Sequence, residues 1–144
     1  MDNRLSKSTL RRIKRYVEIA RALKSNNQTG QFFHVTFINR KSKTLAIGIN
    51  NYKKNIDPKR WGRYNPTKTS RTPDYHPCIH SEISALIKLG KEDCSELDFY
   101  NIRIGNNNGE VMVSRPCINC QRVLNQVGFK NIYYHDENKR VCVL

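Results

Sequence analysis

Apolar positions along this chain change period several times, and each change marks an element. Leu10, Ile13, Val17 and Ala20 recur at helical spacing, with Arg4, Lys7, Arg11, Lys14 and Arg15 opposite them. That pattern predicts an amphipathic helix over residues 5–24, ended by the polar run SNNQTG. QFFHVTFINR and KTLAIGIN then read as two strands joined by a short polar turn at 40–43. Both are nearly continuous apolar runs, which suits a sheet covered on both faces. Ile83, Leu86, Ile87 and Leu89 restore the helical period from about Ile79, and Gly90 closes that helix. LDFYNIRIG follows as a strand, NNNG as a turn and EVMVS as extended chain. PCINCQRVLNQVG predicts a second short helix, with Pro116 in its first position and Gly128 as its stop. NIYYH and RVCVL are short strands separated only by DENK. Too few residues lie between them for a crossover helix, so they run antiparallel. Strands alternating with helices in a chain of 144 residues predict a single layered α/β domain.

Residues 51–78 break the pattern. They show no period, hold Pro58, Pro66, Pro73 and Pro77, and interleave Tyr52, Trp61, Tyr64 and Tyr75 with basic residues. A loop of that length in a compact domain is either functional or disordered. Charge sharpens the picture. The chain has 26 Lys and Arg against 12 Asp and Glu, a net of +14. Residues 1–24 hold eight basic and two acidic side chains, and residues 53–71 hold seven and one. Two segments thus carry most of the excess, where a surface made only for solubility would mix the signs. The concentration points to a polyanion, with a solvated basic face as the plain alternative.

No apolar run approaches the ~18 residues of a membrane span, so no membrane partner is expected. The N-terminus has no apolar core of the secretory kind, which points to a cytoplasmic protein, or a nucleoid or nuclear one if its target is DNA. Five cysteines, an odd number, argue against a disulfide framework and towards metal binding or free thiols.

Two short motifs carry chemistry. His80 and Glu82 open the apolar helix, and on that stretch alone a merely polar first turn is the better explanation. In SRPCINCQRVL, Cys117 and Cys120 are three apart on the opening turn of the other helix, so both sulfurs share a face. A helix N-terminus favours the thiolate a metal requires. His80 with the two cysteines makes the N, S, S set suited to tetrahedral zinc, with a fourth position open as in catalytic sites. A structural site would need a fourth ligand, and His76 and Cys78 are near enough in sequence to offer one. Glu82 stands where a carboxylate can shuttle protons beside a metal.

H-x-E followed by P-C-x-x-C is the signature of zinc-dependent cytidine deaminases. The chain resembles that superfamily at His80-Ser81-Glu82 and at Pro116-Cys117-Ile118-Asn119-Cys120. The resemblance extends from about Phe32 to the C-terminus. It implies a three-layer α/β/α sandwich on a five-stranded mixed sheet ending in an antiparallel hairpin. It implies one catalytic zinc ion held by His80, Cys117 and Cys120, with Glu82 taking a proton from water and giving protons to the base and the departing ammonia. It also implies that the Ser81 N–H faces the pyrimidine carbonyl, that Asn50 contacts the sugar, and that the Ser114 carbonyl meets the exocyclic amine. Tyr134 and His135 fall where polynucleotide-editing relatives read the neighbouring base, although strand alternation puts one of Tyr133 and Tyr134 in the core.

The hairpin ending resembles the branch that holds nucleoside deaminases and several nucleic-acid-editing toxins, whereas nucleoside deaminases usually have cysteine where this chain has His80. Charge weighs towards a polymer, since one nucleotide needs only one or two cations. Cytosine in single-stranded DNA is therefore the expected substrate, ahead of RNA. Trp61 and Tyr64 would stack on bases. Lys53, Lys54, Lys59, Arg60, Arg63 and Arg115 would follow the phosphates. Free deoxycytidylate or cytidine is the alternative substrate, and an inactive nucleic-acid-binding protein is the alternative outside enzymes. The intact Glu82 argues against the last. A monomer or small homo-oligomer is expected.

Overall fold

The chain begins with α1 (Lys7–Asn26), followed by β1 (Phe33–Arg40), β2 (Lys43–Ile49) and β3 (Asn51–Asn55). Next come β4 (Cys78–Ile79), α2 (Ser81–Leu89), β5 (Asp98–Ile104) and β6 (Val111–Met112). The last elements are α3 (Ile118–Val127), β7 (Asn131–His135) and β8 (Val141–Val143). This computed structural model describes residues 5–26, 33–55, 78–90, 93–106 and 108–144.

The main sheet runs β2-β1-β5-β7-β8, with β6 paired to the end of β5. All its pairs are antiparallel except β5 with β7, and the chain makes that parallel crossover through α3. The sheet is thus mixed, as expected, and β7–β8 is the antiparallel hairpin that the four-residue DENK spacer dictates. Among the described residues the five strands expected form its path, and a short sixth is added at the edge of β5. EVMVS yields β6, only two residues long, paired at Arg103↔Met112 and Ile104↔Val111. The expected loop of 51–78 also begins and ends in a small antiparallel sheet of β3 and β4.

Alternation along β1 builds a core on each face. Phe33, Val35 and Phe37 turn to α1, meeting Ile13, Tyr16, Val17 and Ala20 together with Tyr100, Ile102 and Tyr133. Ile38 turns the other way with Phe99, towards Ile83 and Leu86 of α2 and Val123 and Leu124 of α3. This is the three-layer arrangement. Tyr16 is the keystone of the α1 side, stacked on Phe37 with centroids 4.1 Å apart and edge-on to Tyr100 at 5.1 Å. Leu10, expected on the buried stripe, is 38% exposed. It lies on the first turn, where Ser6 caps the helix by accepting the Thr9 N–H at 3.2 Å.

Gly48 sets how closely α2 lies on the sheet. A Cβ there would stand 2.3 Å from Ala85 N and 2.4 Å from Ser81 O. Only a residue without a side chain lets the first turn of α2 rest directly on β2. Gly90 and Gly128 end α2 and α3 in the left-handed conformation, φ 69° and 79°, as the sequence predicts. Among the described residues no helix is long and apolar enough to cross a membrane.

Candidate metal centre and its surroundings

His80 and Cys117 occupy equivalent places: each is the N-cap of its helix, with extended backbone (ψ 155° and 163°). Helix α3 therefore starts two residues later than expected, and Pro116 precedes the cap instead of opening the helix. Proline still stops any earlier start, because it disfavours helical backbone in the residue before it. The Cys117 sulfur accepts the Cys120 N–H at 3.4 Å. That contact folds the two sulfurs onto one side.

The two helix starts converge on one point. His80 Nδ1 lies 3.7 Å from Cys117 Sγ and 3.4 Å from Cys120 Sγ. Among the described residues these three form a metal-competent group, with all ligand atoms within 4.8 Å of one another. Tetrahedral zinc, with bonds of about 2.0–2.3 Å, holds nitrogen and sulfur ligands about 3.6 Å apart. The observed spacings match that value. The charge state fits too. A hydrogen bond from Cys120, and then one from His80, pulls the Cys117 thiol down to about 4, against its partial burial. The Cys117 sulfur in turn holds the His80 imidazole above its ordinary value, despite burial. A thiolate and an imidazole sharing a proton is the arrangement that a cation displaces. His80, Cys117 and Cys120 are placed to hold a single metal ion, and their N, S, S set suits zinc.

Glu82 is 5% exposed on the first turn of α2. Cys120 is held well above an ordinary thiol by its bond with Cys117, then by burial, and the Glu82 carboxylate raises it further. Ser81, fully buried, donates its hydroxyl to Glu82 Oε1 at 2.8 Å. Asn50 Oδ1 accepts the His34 N–H at 2.8 Å, which pins the asparagine beside the start of β1. Ser114 is buried, and its carbonyl accepts Asn101 Nδ2 at 2.8 Å.

Other expected positions differ in exposure. Tyr134 and His135 are 5% and 6% exposed. The Tyr134 hydroxyl accepts a 2.7 Å bond from Arg115, whose guanidinium also lies 5.1 Å from the ring centre. Tyr133 is buried as well, so both tyrosines are covered where alternation promised one; the sheet has no bare face there. Burial pushes the His135 imidazole down. Arg115 itself is exposed. Lys59, Arg60, Trp61, Arg63, Tyr64 and His76 lie outside the described residues, as do the side chains of Lys53, Lys54 and Cys78.

Three residues at this end of the sheet escaped the sequence reading. Thr36 and Asn101 are buried register partners on β1 and β5, bonded at 2.8 Å. His34, half-buried, faces Arg103 in the same register and is pushed down by burial, while Glu82 pulls it the other way. The one signal was polarity inside apolar runs, a histidine and a threonine in FFHVTF and an asparagine in DFYNIRI.

The cytidine and deoxycytidylate deaminase zinc-binding region, as a family, matches residues 10–136. Among solved structures, the 1.6 Å crystal structure of cytidine deaminase from Burkholderia pseudomallei resembles the chain with a TM-score of 0.50. Identity is 15%, over 89% of this chain and 87% of that one, a likeness of fold. No curated protein matches by sequence.

Proposed function

The chain belongs to the cytidine and deoxycytidylate deaminase family, and from that premise we propose that it converts cytosine to uracil in a polynucleotide, single-stranded DNA ahead of RNA. The observation that carries the polymer reading is the tether of the basic, aromatic segment. β3 pairs with β4 at Asn51↔Ile79 and Asn55↔Cys78, and His80 follows directly. Both ends of the segment bearing Lys59, Arg60, Trp61, Arg63 and Tyr64 are therefore fixed beside a metal ligand. Residues 53–71 carry seven basic side chains and one acidic one, more than a single nucleotide needs. Arg115, exposed two residues before Cys117, puts a further cation close in sequence to a metal ligand. The N-terminal cluster contributes less, because α1 lies across the sheet from α2 and α3. A single strand is favoured because the target base must leave its stack to be reached.

In this mechanism His80, Cys117 and Cys120 would hold zinc, which would supply Lewis-acid chemistry that brings the pKa of water towards neutrality. Glu82 takes the proton from the water that attacks C4, and returns protons to N3 and to the amine, which leaves as ammonia. The Ser81 hydroxyl holds that carboxylate in place. The Ser81 N–H faces the pyrimidine carbonyl, the Ser114 carbonyl accepts the exocyclic amine, and Asn50 meets the sugar.

Free cytidine or deoxycytidylate is the second reading, favoured by the β7–β8 hairpin at the chain's end. Zinc-loaded protein incubated separately with a cytosine-containing DNA oligonucleotide, deoxycytidylate and cytidine separates the two, with uracil read by mass. Conversion in the oligonucleotide, with binding that weakens steeply as salt rises, is the expected result. Conversion of the monomers alone would overturn the polymer reading.

A further inference from the structure

On the α2 side of the sheet, β1 and β5 present three register pairs: Ile38 with Phe99, Thr36 with Asn101, and His34 with Arg103. The first belongs to the apolar core, and His34 of the last interacts electrostatically with Glu82 and His80. The middle pair is neutral, polar and almost fully covered, at 0% and 2% exposure. Such side chains are costly in a core unless their hydrogen bonds are made. Here they are made, and they form one line. Thr36 donates its single hydroxyl proton to two acceptors at once, Ser81 Oγ at 2.9 Å and Asn101 Oδ1 at 2.8 Å. At one end of the line, Ser81 donates to Glu82 Oε1 at 2.8 Å. At the other, Asn101 Nδ2 donates to the Ser114 carbonyl at 2.8 Å, and the Ser114 hydroxyl donates back to the Asn101 carbonyl at 2.7 Å. The His135 N–H locks that hydroxyl at 2.9 Å.

We propose that Thr36 and Asn101 are positioning residues for the deamination, linking the Glu82 carboxylate to the Ser114 carbonyl through one buried chain of hydrogen bonds. The inference rests on the proposed roles of Glu82 and Ser114. Those two groups come from different elements, α2 and the turn before α3, and handle different atoms of the same amidine. A fixed separation between them is worth most in the transition state. The amide of Asn101 is held in one orientation, its amino end on Ser114 and its oxygen end on the Thr36 hydroxyl. The Thr36 hydroxyl joins that amide to the serine that steadies Glu82.

The test pairs Thr36→Val, which keeps the shape and removes the hydroxyl, with Thr36→Ser, which keeps the hydroxyl. In zinc-loaded protein of unchanged metal content, Thr36→Val should lower kcat by about tenfold or more and leave KM nearly unchanged, and Thr36→Ser should recover most of the loss. Full kcat in Thr36→Val, or a Thr36→Ser as slow as Thr36→Val, would overturn the positioning role. Glu82→Gln separates the two levels of the argument. Wild-type turnover in Glu82→Gln means that the functional reading itself fails. A dead Glu82→Gln beside a fully active Thr36→Val means that only this inference fails. Should the wild type convert none of the three substrates, exchange of the Asn101 side-chain amide protons decides by NMR. Exchange about tenfold faster in Thr36→Val than in wild type or Thr36→Ser supports the chain, and equal rates break it.

Discussion

Gly48→Ala is the smallest change that should disable the site from a distance. The added methyl would meet Ala85 N at 2.3 Å, Ser81 O at 2.4 Å and the Ala85 Cα at 2.8 Å, all of them backbone atoms. No side chain can swing aside, so α2 or β2 must retreat by roughly 1 Å to restore ordinary contact. Overpacking of this kind costs typically about 1–3 kcal/mol, and rigid backbone on both sides argues for the upper end. For a domain of this size that is a fall in melting temperature of about 6–12 °C. The functional effect should be larger than the stability effect suggests. The displaced turn carries His80 and Glu82, and a shift of about 1 Å in a reacting group can cost about a hundredfold in rate. The control is Gly90→Ala. Its Cβ meets nothing within 4 Å, but its φ of 69° is left-handed, so it should cost about 1 kcal/mol and leave the site alone. Thermal denaturation and zinc content measured on both variants give the answer. A Gly48→Ala protein that melts like the wild type and binds zinc equally would refute the claim that this contact sets the height of α2.

Four further outcomes are expected. Chelating the metal should lower the melting temperature, and free zinc at about a hundred times its dissociation constant should restore about 2.7 kcal/mol, read by calorimetry; no shift would mean that no ion links α2 to α3. In metal-free protein, Cys117 is held at about 4 and is thiolate throughout the neutral range, so iodoacetamide should label it at pH 7 ahead of Cys94 and Cys142, while zinc protects it. Burial raises Tyr133 from 10.0 to about 12. The folded state then keeps a proton that the unfolded chain gives up, so stability should fall as pH rises from 10 towards 12, and Tyr133→Phe should flatten that fall in melting curves. Arg115→Ala should weaken oligonucleotide binding and reduce its salt slope by about one, without changing zinc content.

The residues that carry the chemistry were legible because they are local. H-x-E and P-C-x-x-C are each at most five residues long, and the two helix starts they mark fall within two residues of where the structure puts them. The closing hairpin was legible for a similar reason, since four residues cannot house a crossover. What escaped depended on partners far along the chain. Thr36 meets Ser81 across 45 residues and Asn101 across 65, so nothing near Thr36 announces a polar line through the sheet. Tyr16 was overlooked because a polar hydroxyl hides a ring; its oxygen is satisfied by Thr44 at 2.7 Å, which frees the ring to fill the core. β6 is too short to show a period. The cover over Tyr134 and His135 comes from the packed sheet, which no pattern local to NIYYH announces.

The most direct test of the central claim compares wild type with Glu82→Gln, each purified with its metal content measured and each given the DNA oligonucleotide, deoxycytidylate and cytidine. The account predicts one zinc ion in both proteins and uracil from the wild type alone. Uracil formed by Glu82→Gln at the wild-type rate would contradict it, as would a zinc-loaded wild type that leaves all three substrates unchanged.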